Sequence, residues 1–350
     1  MTISDPLASL GWTNAFRSQL SPDDPAGAWP VRVAEVHRDR LTVLAPSGPL
    51  TLSLPQGITT AEIAVGDWGL ADPASLCLIR RLDRSTLLSR CAAGDVSRDQ
   101  LIAANVDTAF LTTSCNADFN EARLERYLAL IHQGGITPVV LLTKADMCAD
   151  PDLFLNRLRA IAPATPALAL NAKDPTTRDR LAPWTSPGQT VCFLGSSGVG
   201  KSTLANTLTG LRLDTGAIRE DDAKGRHTTT ARALFPIPGG GWLIDTPGMR
   251  ELRLSDVTEG IGATFADLAD LATRCRFTDC AHDREPGCAI RAAIDAGDLD
   301  ANRLLRWQKL QREDRFNSAS AADLRSRARR FGKLTRDAGK HKKRWGDLEE

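Results

Sequence analysis

The chain has 350 residues, too many for one ordinary core, and two or three domains are expected. No apolar run approaches the roughly 20 residues needed to span a membrane; with no secretory signal either, a cytoplasmic protein without a membrane partner is expected. The net charge is +1, yet residues 321–350 hold ten Lys/Arg against five Asp/Glu, so this stretch carries +5 and the remainder −4. That asymmetry points to a polyanionic partner at the C-terminus.

Taken in chain order, residues 1–28, with Ser21-Pro-Asp-Asp-Pro25, read as a poorly ordered leader. From 29 to 90 the segments Val31 to Val36, Arg40 to Leu44, Leu50 to Leu54, Ile63 to Leu70 and Leu76 to Ile79 are short, alternating and separated by turns. Five such strands predict a small barrel, either an OB-fold or an SH3-like barrel.

The region 91–254 changes character. Apolar strands at Val106 to Leu111, Pro138 to Leu142 and Pro166 to Leu170 alternate with helical patterns at Glu121 to His132 and Asp152 to Ile161. This is the βαβ signature of a parallel sheet. At the end of one strand stands Thr143-Lys144-Ala-Asp146, where a carboxylate can accept from two N–H donors on the edge of guanine, a pattern adenine lacks. Most GTPases place Asn at the first position; a threonine hydroxyl has less reach, and weaker guanine binding is expected. After the next strand, Asn171, Ala172 and Lys173 could offer backbone N–H groups to the base.

Gly195-Ser196-Ser197-Gly198-Val199-Gly200-Lys201-Ser202 then fits the phosphate-loop pattern G-x-x-x-x-G-K-[ST], between the apolar run Thr190 to Leu194 and a helical pattern over Ser202 to Leu208 that includes Thr203. Its glycines let backbone N–H groups face a phosphate, Lys201 reaches the β/γ-oxygens, and Ser202 can ligate Mg²⁺. In Gly225-Arg-His227-Thr-Thr229-Thr230, Thr229 is expected to complete the Mg²⁺ shell, with Thr228 the next choice, and the segment is expected to switch between order and disorder. Asp245-Thr-Pro-Gly248 closes an apolar strand, the aspartate suited to hold Mg²⁺ through water and the glycine N–H to sense the γ-phosphate. Met249 follows, where many GTPases carry the glutamine that orients water; a thioether cannot do so. His227 is the candidate for that task, or it caps and packs the switch segment. The order of tetrad, base-backing loop, phosphate loop and switches is a circular permutation of the usual arrangement. Its consequence is mechanical, because the segment after Gly248 runs directly into the next unit.

That unit, 255–320, holds Cys275-x₄-Cys280-x-His282-x₅-Cys288, three thiols and an imidazole with the softness and number of a structural zinc site. Leu299 to Phe316 predicts a helix, carrying Leu304, Leu305 and Leu310, that packs on it. The tail 321–350, with Phe331 and Trp345 among its cations, reads as an RNA contact or as a solvated charged run.

Together these residues resemble the RsgA family of circularly permuted GTPases that depend on the small ribosomal subunit. The resemblance is carried by Val65-Gly-Asp-Trp68, Ala104-Asn-Val-Asp107, the permuted motif order, Gly225-Arg-His-Thr-Thr-Thr230 and the Cys/Cys/His/Cys set. It implies a multidomain α/β protein: an N-terminal OB-fold barrel, a central permuted P-loop GTPase domain and a C-terminal α-rich zinc domain. It also implies a monomer that binds GTP/GDP, Mg²⁺, one zinc, the small ribosomal subunit and its rRNA, and that hydrolyses GTP slowly until the subunit stimulates it late in assembly. Two other classes stay open from the residues alone: a P-loop small-molecule kinase, and an RNA-binding scaffold with negligible turnover.

Overall fold

Apolar residues alternate along the first strands, so Val31, Val33, Leu41, Val43, Leu52 and Leu78 all point into one interior. The computed structural model, which describes residues 6–91, 99–212, 232–245 and 256–318, wraps five strands around it. These are β1 (Trp29–Val36), β2 (Arg40–Ala45), β3 (Gly48–Ser53), β4 (Trp68–Asp72) and β5 (Cys77–Arg81). β1 pairs antiparallel with both β2 and β4, β2 with β3, and β4 with β5. A parallel contact between Ser53 and Cys77 joins β3 to β5 and closes the barrel, in the OB-fold order rather than an SH3-like one.

Residues 6–28 correct one expectation. Two single-turn helices, α1 (Pro6–Ser9) and α2 (Asn14–Arg17), bring Leu10, Trp12 and Phe16 into buried contact with Trp68 of the barrel. The Trp12 and Trp68 rings meet edge to face at 4.8 Å. The Asp24 carboxylate grips Arg80 through two bonds of 2.8 Å. Two aromatic anchors and a leucine spaced among polar residues hold down a segment whose composition alone resembles a loose leader.

A hairpin of β6 (Leu87–Cys91) and β7 (Asp99–Ala104) leads from the barrel to the main sheet. The main sheet comprises β8 (Thr108–Ser114), β9 (Thr137–Thr143), β10 (Ala167–Ala169), β11 (Thr190–Leu194), β12 (Ala233–Pro236) and β13 (Trp242–Asp245). Its order is β10-β9-β8-β11-β13-β12, parallel throughout except for β12. Helices α3 (Glu121–Gln133), α4 (Pro151–Ile161), α5 (Thr177–Leu181) and α6 (Lys201–Thr209) connect the strands. α3 begins where the Asn120 side chain caps the Arg123 N–H, and α4 where Asp150 caps with a proline at the first turn.

Barrel and sheet are locked at one joint. Gly66 lies so close to the main chain of Ala104 that a Cβ there would stand 2.1 Å from its carbonyl oxygen. Asn105, in the left-handed region at φ 55°, donates to the Gly66 carbonyl (3.0 Å) and accepts from the Ser85 N–H (2.9 Å). Beside it the buried guanidinium of Arg32 donates to the carbonyl of Leu10 and to the Thr190 hydroxyl (2.7 Å) at the start of β11. Burial pushes Arg32 down to about 10, against the pull of the nearby Asp107 carboxylate. Glu35 pairs with Ala233, so β1 of the barrel also borders β12.

Four helices complete the described chain: α7 (Thr258–Thr264), α8 (Ala266–Ala272), α9 (Ala289–Asp295) and α10 (Ala301–Asn317). Phe265, Leu268, Ile290, Leu304, Trp307 and Leu310 share one core with Leu124, Tyr127 and Leu128 of α3. The Glu125 carboxylate of α3 is fully buried and accepts from Arg303 (2.9 Å) and Arg306 (2.7 Å) of α10. Burial raises the Glu125 pKa while the two guanidinium groups oppose it, and Arg303 also holds Asp267 through two bonds of 2.8 Å. Such a network fixes how the helices dock, since removing one partner leaves the other charge buried and unpaired. Leu304 and Leu310 are buried as the sequence suggests, whereas Leu305 faces outward. No helix among the described residues is long and apolar enough to cross a membrane.

Candidate nucleotide site and metal centre

The tetrad, the base-backing loop, the phosphate loop and Asp245 follow the carboxyl ends of β9, β10, β11 and β13. Open parallel sheets bind ligands at that edge. β11 is buried along its whole length and delivers the chain into Gly195, whose φ of 137° and nearness to Thr112 (2.1 Å from a built Cβ to its carbonyl oxygen) admit only glycine. Gly198 and Gly200 also have positive φ, at 77° and 97°. Left-handed residues interleaved in this way turn backbone N–H groups toward one concave side. Ser196 is half-buried, Ser197 and Gly198 are exposed, and Val199 is buried beneath them. Lys201 opens α6, and its ammonium bridges the carbonyls of Gly195 (2.8 Å) and Ser196 (2.5 Å). Ser202 is exposed on the first turn, with Thr203 half-buried beside it.

The geometry gives Thr143 a task that sequence reading missed. Its side chain is fully buried, with the hydroxyl 2.6 Å from the carbonyl of Val199 and 3.1 Å from that of Thr113. Both acceptors are main chain, so the hydroxyl ties the end of β9 to the phosphate loop. Lys144 then takes φ 57°, and a 3₁₀ turn over Ala145–Met147 carries Asp146 into solvent. The base-backing loop is anchored from the other side: Asn171 accepts from the Lys173 N–H (3.0 Å) and the Thr177 hydroxyl (2.8 Å), and Thr207 of α6 donates to the Ala172 carbonyl (2.7 Å). Thr143 and Ala172 both come within 3.8 Å of where a Cβ on Gly200 would stand. All three loops therefore meet at one residue. Asp245, half-buried, ends β13. His227, Thr228, Thr229, Gly248 and Met249 lie outside the described residues, as does the basic stretch 321–350.

The four predicted metal ligands converge, their ligating atoms all within 4.8 Å of one another. Cys275 Sγ and Cys288 Sγ are 3.9 Å apart, and each lies 3.6 Å from His282 Nδ1. The edges of a zinc tetrahedron built from ordinary Zn–S and Zn–N bonds are about 3.8 Å (S to S) and about 3.6 Å (S to N), so the donor set and its spacing fit zinc. A disulfide would need the sulfurs at about 2 Å. Three devices shape the loop. His282 adopts φ 61°, the Glu285 carboxylate accepts from the N–H groups of Ala281, Asp283 and Arg284, and Trp307 of α10 lies against the imidazole at 5.7 Å. Burial acts to raise the Cys275 thiol, but N–H groups of Ala289 and Ile290 at the start of α9, with the Cys288 thiol, lower it below its ordinary value. A thiolate, the form that ligates metal, is favoured there.

Comparison with known proteins agrees with this geometry. The model of the RsgA GTPase family matches residues 81–255. Among curated proteins, a Small ribosomal subunit biogenesis GTPase RsgA of Mesorhizobium japonicum is 53% identical over 323 residues, covering 91% of this chain and 93% of that one. A Small ribosomal subunit biogenesis GTPase RsgA 2 of Vibrio parahaemolyticus is 45% identical, covering 98% and 96%. Among solved structures, YjeQ from Thermotoga maritima shares the fold with a TM-score of 0.62 at 24% identity, covering 81% of this chain and 97% of its own. YloQ, a circularly permuted GTPase, shares it with a TM-score of 0.61 at 20% identity, covering 86% and 100%. The chain belongs to the RsgA GTPase family and is a GTPase.

Proposed function

We propose that this GTPase acts in assembly of the small ribosomal subunit, binding the particle and its rRNA late in maturation and hydrolysing GTP when the particle stimulates it. The role rests on the relatives, which are named for small-subunit biogenesis. The observation that carries the chemistry is the bond from Thr143 to Val199, because one nucleotide can span a base-reading loop and a phosphate loop only if the two are held side by side. In this reading Asp146 accepts from the guanine edge and Lys144 flanks the ring. Asn171, Ala172 and Lys173 back the base, and the N–H groups of Gly195 to Thr203 cradle the phosphates. Lys201 leaves the loop carbonyls to meet the β/γ-oxygens. Ser202 and Thr229 would hold Mg²⁺, which supplies charge neutralisation at the phosphates, while Asp245 acts through water and the Gly248 N–H senses the γ-phosphate. With Thr143 committed to the main chain, selection of guanine falls to Asp146. His227 is the residue proposed to orient the attacking water.

The Cys275, Cys280, His282 and Cys288 set would hold one structural zinc that orders the loop between α8 and α9. Metal analysis of purified protein should find one zinc per chain. Cys280→Ser should lose the metal and unfold that loop while leaving GTP affinity intact; metal-free wild-type protein with a folded loop would contradict this.

Asp146→Asn should reverse base preference. The amide presents a donor to the guanine amino group, which it repels, and to the xanthine carbonyl, which it can bind. Loss of a charge-assisted bond corresponds to about tenfold to a hundredfold weaker GTP binding. Competition between GTP and XTP measures it, and an unchanged ratio would remove Asp146 from base reading.

The role itself is tested by steady-state GTP hydrolysis with and without purified small subunits. Turnover should rise with the particle and be abolished in both conditions by Lys201→Ala. Stimulation by naked RNA alone, or none by the particle, would contradict the assembly role.

A further inference from the structure

Helix α10 has a second face besides the one that reaches α3. Between it, α7, α8 and the loop that carries Cys280 and His282 runs a groove of about 820 Å³. Its floor is apolar where Ile261 of α7, Ala269 of α8 and Trp307 of α10 meet. Gln308 ties the groove to the loop by donating to the Ala281 carbonyl (3.1 Å). Farther along α10, Arg312 and Arg315 stand one turn apart at exposed positions on its rim. Each engages its own helix through Nε, Arg312 with the Gln308 carbonyl and Arg315 with that of Gln311, both at 3.2 Å. Neither has a carboxylate partner among the described residues. Two acids also border the groove. Asp314 is committed to the Val257 N–H and the Thr258 hydroxyl, and Asp279 belongs to the loop that Gln308 reaches.

An apolar floor with two unpaired guanidinium groups on its rim fits a short segment that carries both apolar and acidic side chains. This chain contains such a segment outside the described residues. All ten Lys/Arg of 321–350 stand at or before Arg344, and the charge then changes sign. Trp345-Gly-Asp347-Leu348-Glu349-Glu350 holds two large apolar side chains and three carboxylates, with no cation among them.

We propose that Trp345 to Glu350 dock in this groove of the same chain, with Trp345 and Leu348 on the floor and the carboxylates on Arg312 and Arg315. The inference is independent of the role in subunit assembly. Covalent attachment makes weak contacts sufficient. Trp307 lies about 16 Å back along α10 from Ser318, and the 27 residues from Ser318 to Trp345 can extend to about 90 Å. A tethered segment meets its site at an effective concentration that reaches the order of millimolar. Exposed ion pairs contribute little singly, so the apolar floor decides which segment stays. An RNA phosphate would satisfy the same two arginines but would offer Ile261 and Trp307 only a charged backbone. The segment that brings Trp345 and Leu348 with its carboxylates satisfies both parts of the groove.

The test uses the full chain, purified after nuclease treatment, with Trp345→p-benzoylphenylalanine as a photocrosslinker that keeps an aromatic ring at position 345. Illumination, digestion and mass spectrometry should join that position to peptides carrying Ile261 or Trp307 to Arg315. An equal mixture of isotope-labelled and unlabelled chains should give links within one chain only. Arg312→Glu combined with Arg315→Glu should abolish the groove links, and adding Asp347→Lys, Glu349→Lys and Glu350→Lys should restore them. Because both arginines are exposed and unpaired, the reversal should leave the core folded, which unchanged amide protection at Leu304 and Leu310 verifies. The proposal would be overturned by links elsewhere in the chain, by links between labelled and unlabelled chains, which indicate a second copy, or by links to residual RNA. Groove links that survive the arginine reversal, or that do not return when the charges are exchanged, would overturn it as well.

Discussion

Helix α7 sits against α3 main chain to main chain: a Cβ on Gly260 would stand 1.9 Å from the carbonyl oxygen of Ala129. Only glycine allows that approach, and the Gln133 side chain completes it by accepting from the Gly260 N–H at 2.9 Å. Everything downstream inherits this placement. Asp314 of α10 accepts from Val257 and Thr258 and so closes the start of α7, Arg303 and Arg306 reach the buried Glu125, and Trp307 comes down on His282. The Cys/His cluster is therefore mounted on α3, the helix that connects β8 to β9 and so leads into the tetrad strand.

That mounting gives the permuted order a physical meaning. Asp245 ends β13, which pairs with the strand that leads into the phosphate loop, and α7 begins thirteen residues later in sequence. The same chain that would sense the phosphate thus runs into the helix seated on α3. The joint at the other end is similarly direct, because Arg32 of the barrel touches Thr190 at the start of β11, the strand that ends in the phosphate loop. Nucleotide state is flanked by short covalent and packed connections on both sides.

Much of this was legible because the chemistry is written in local patterns. Glycines at 195, 198 and 200 encode a loop with positive φ, and three cysteines and a histidine at fixed spacing encode a cluster that could hold a metal; both patterns fold as their own spacing dictates. What the sequence hid depends on partners far along the chain. The leader looks loose until Trp12 and Phe16 meet Trp68, more than fifty residues away. Thr143 looks like a weakened base contact until Val199, 56 residues on, accepts its hydroxyl. Glu285 carries no motif, yet three N–H groups converge on it to shape the ligand loop. The hairpin of β6 and β7 escaped for a different reason: Ala103 and Ala104 are too small to mark a strand, and their burial comes from the barrel joint.

The central claim is that nucleotide state reaches the helices on α3 through the segment between Asp245 and α7. Amide hydrogen exchange of the full chain, with GDP and with a non-hydrolysable GTP analogue under saturating Mg²⁺, tests it most directly. The account predicts changed protection in α7 and in the α10 turn around Asp314, with the barrel interior around Val31 and Val43 unchanged. Identical exchange of α7 and α10 in the two states, alongside clear differences at the phosphate loop, would contradict it.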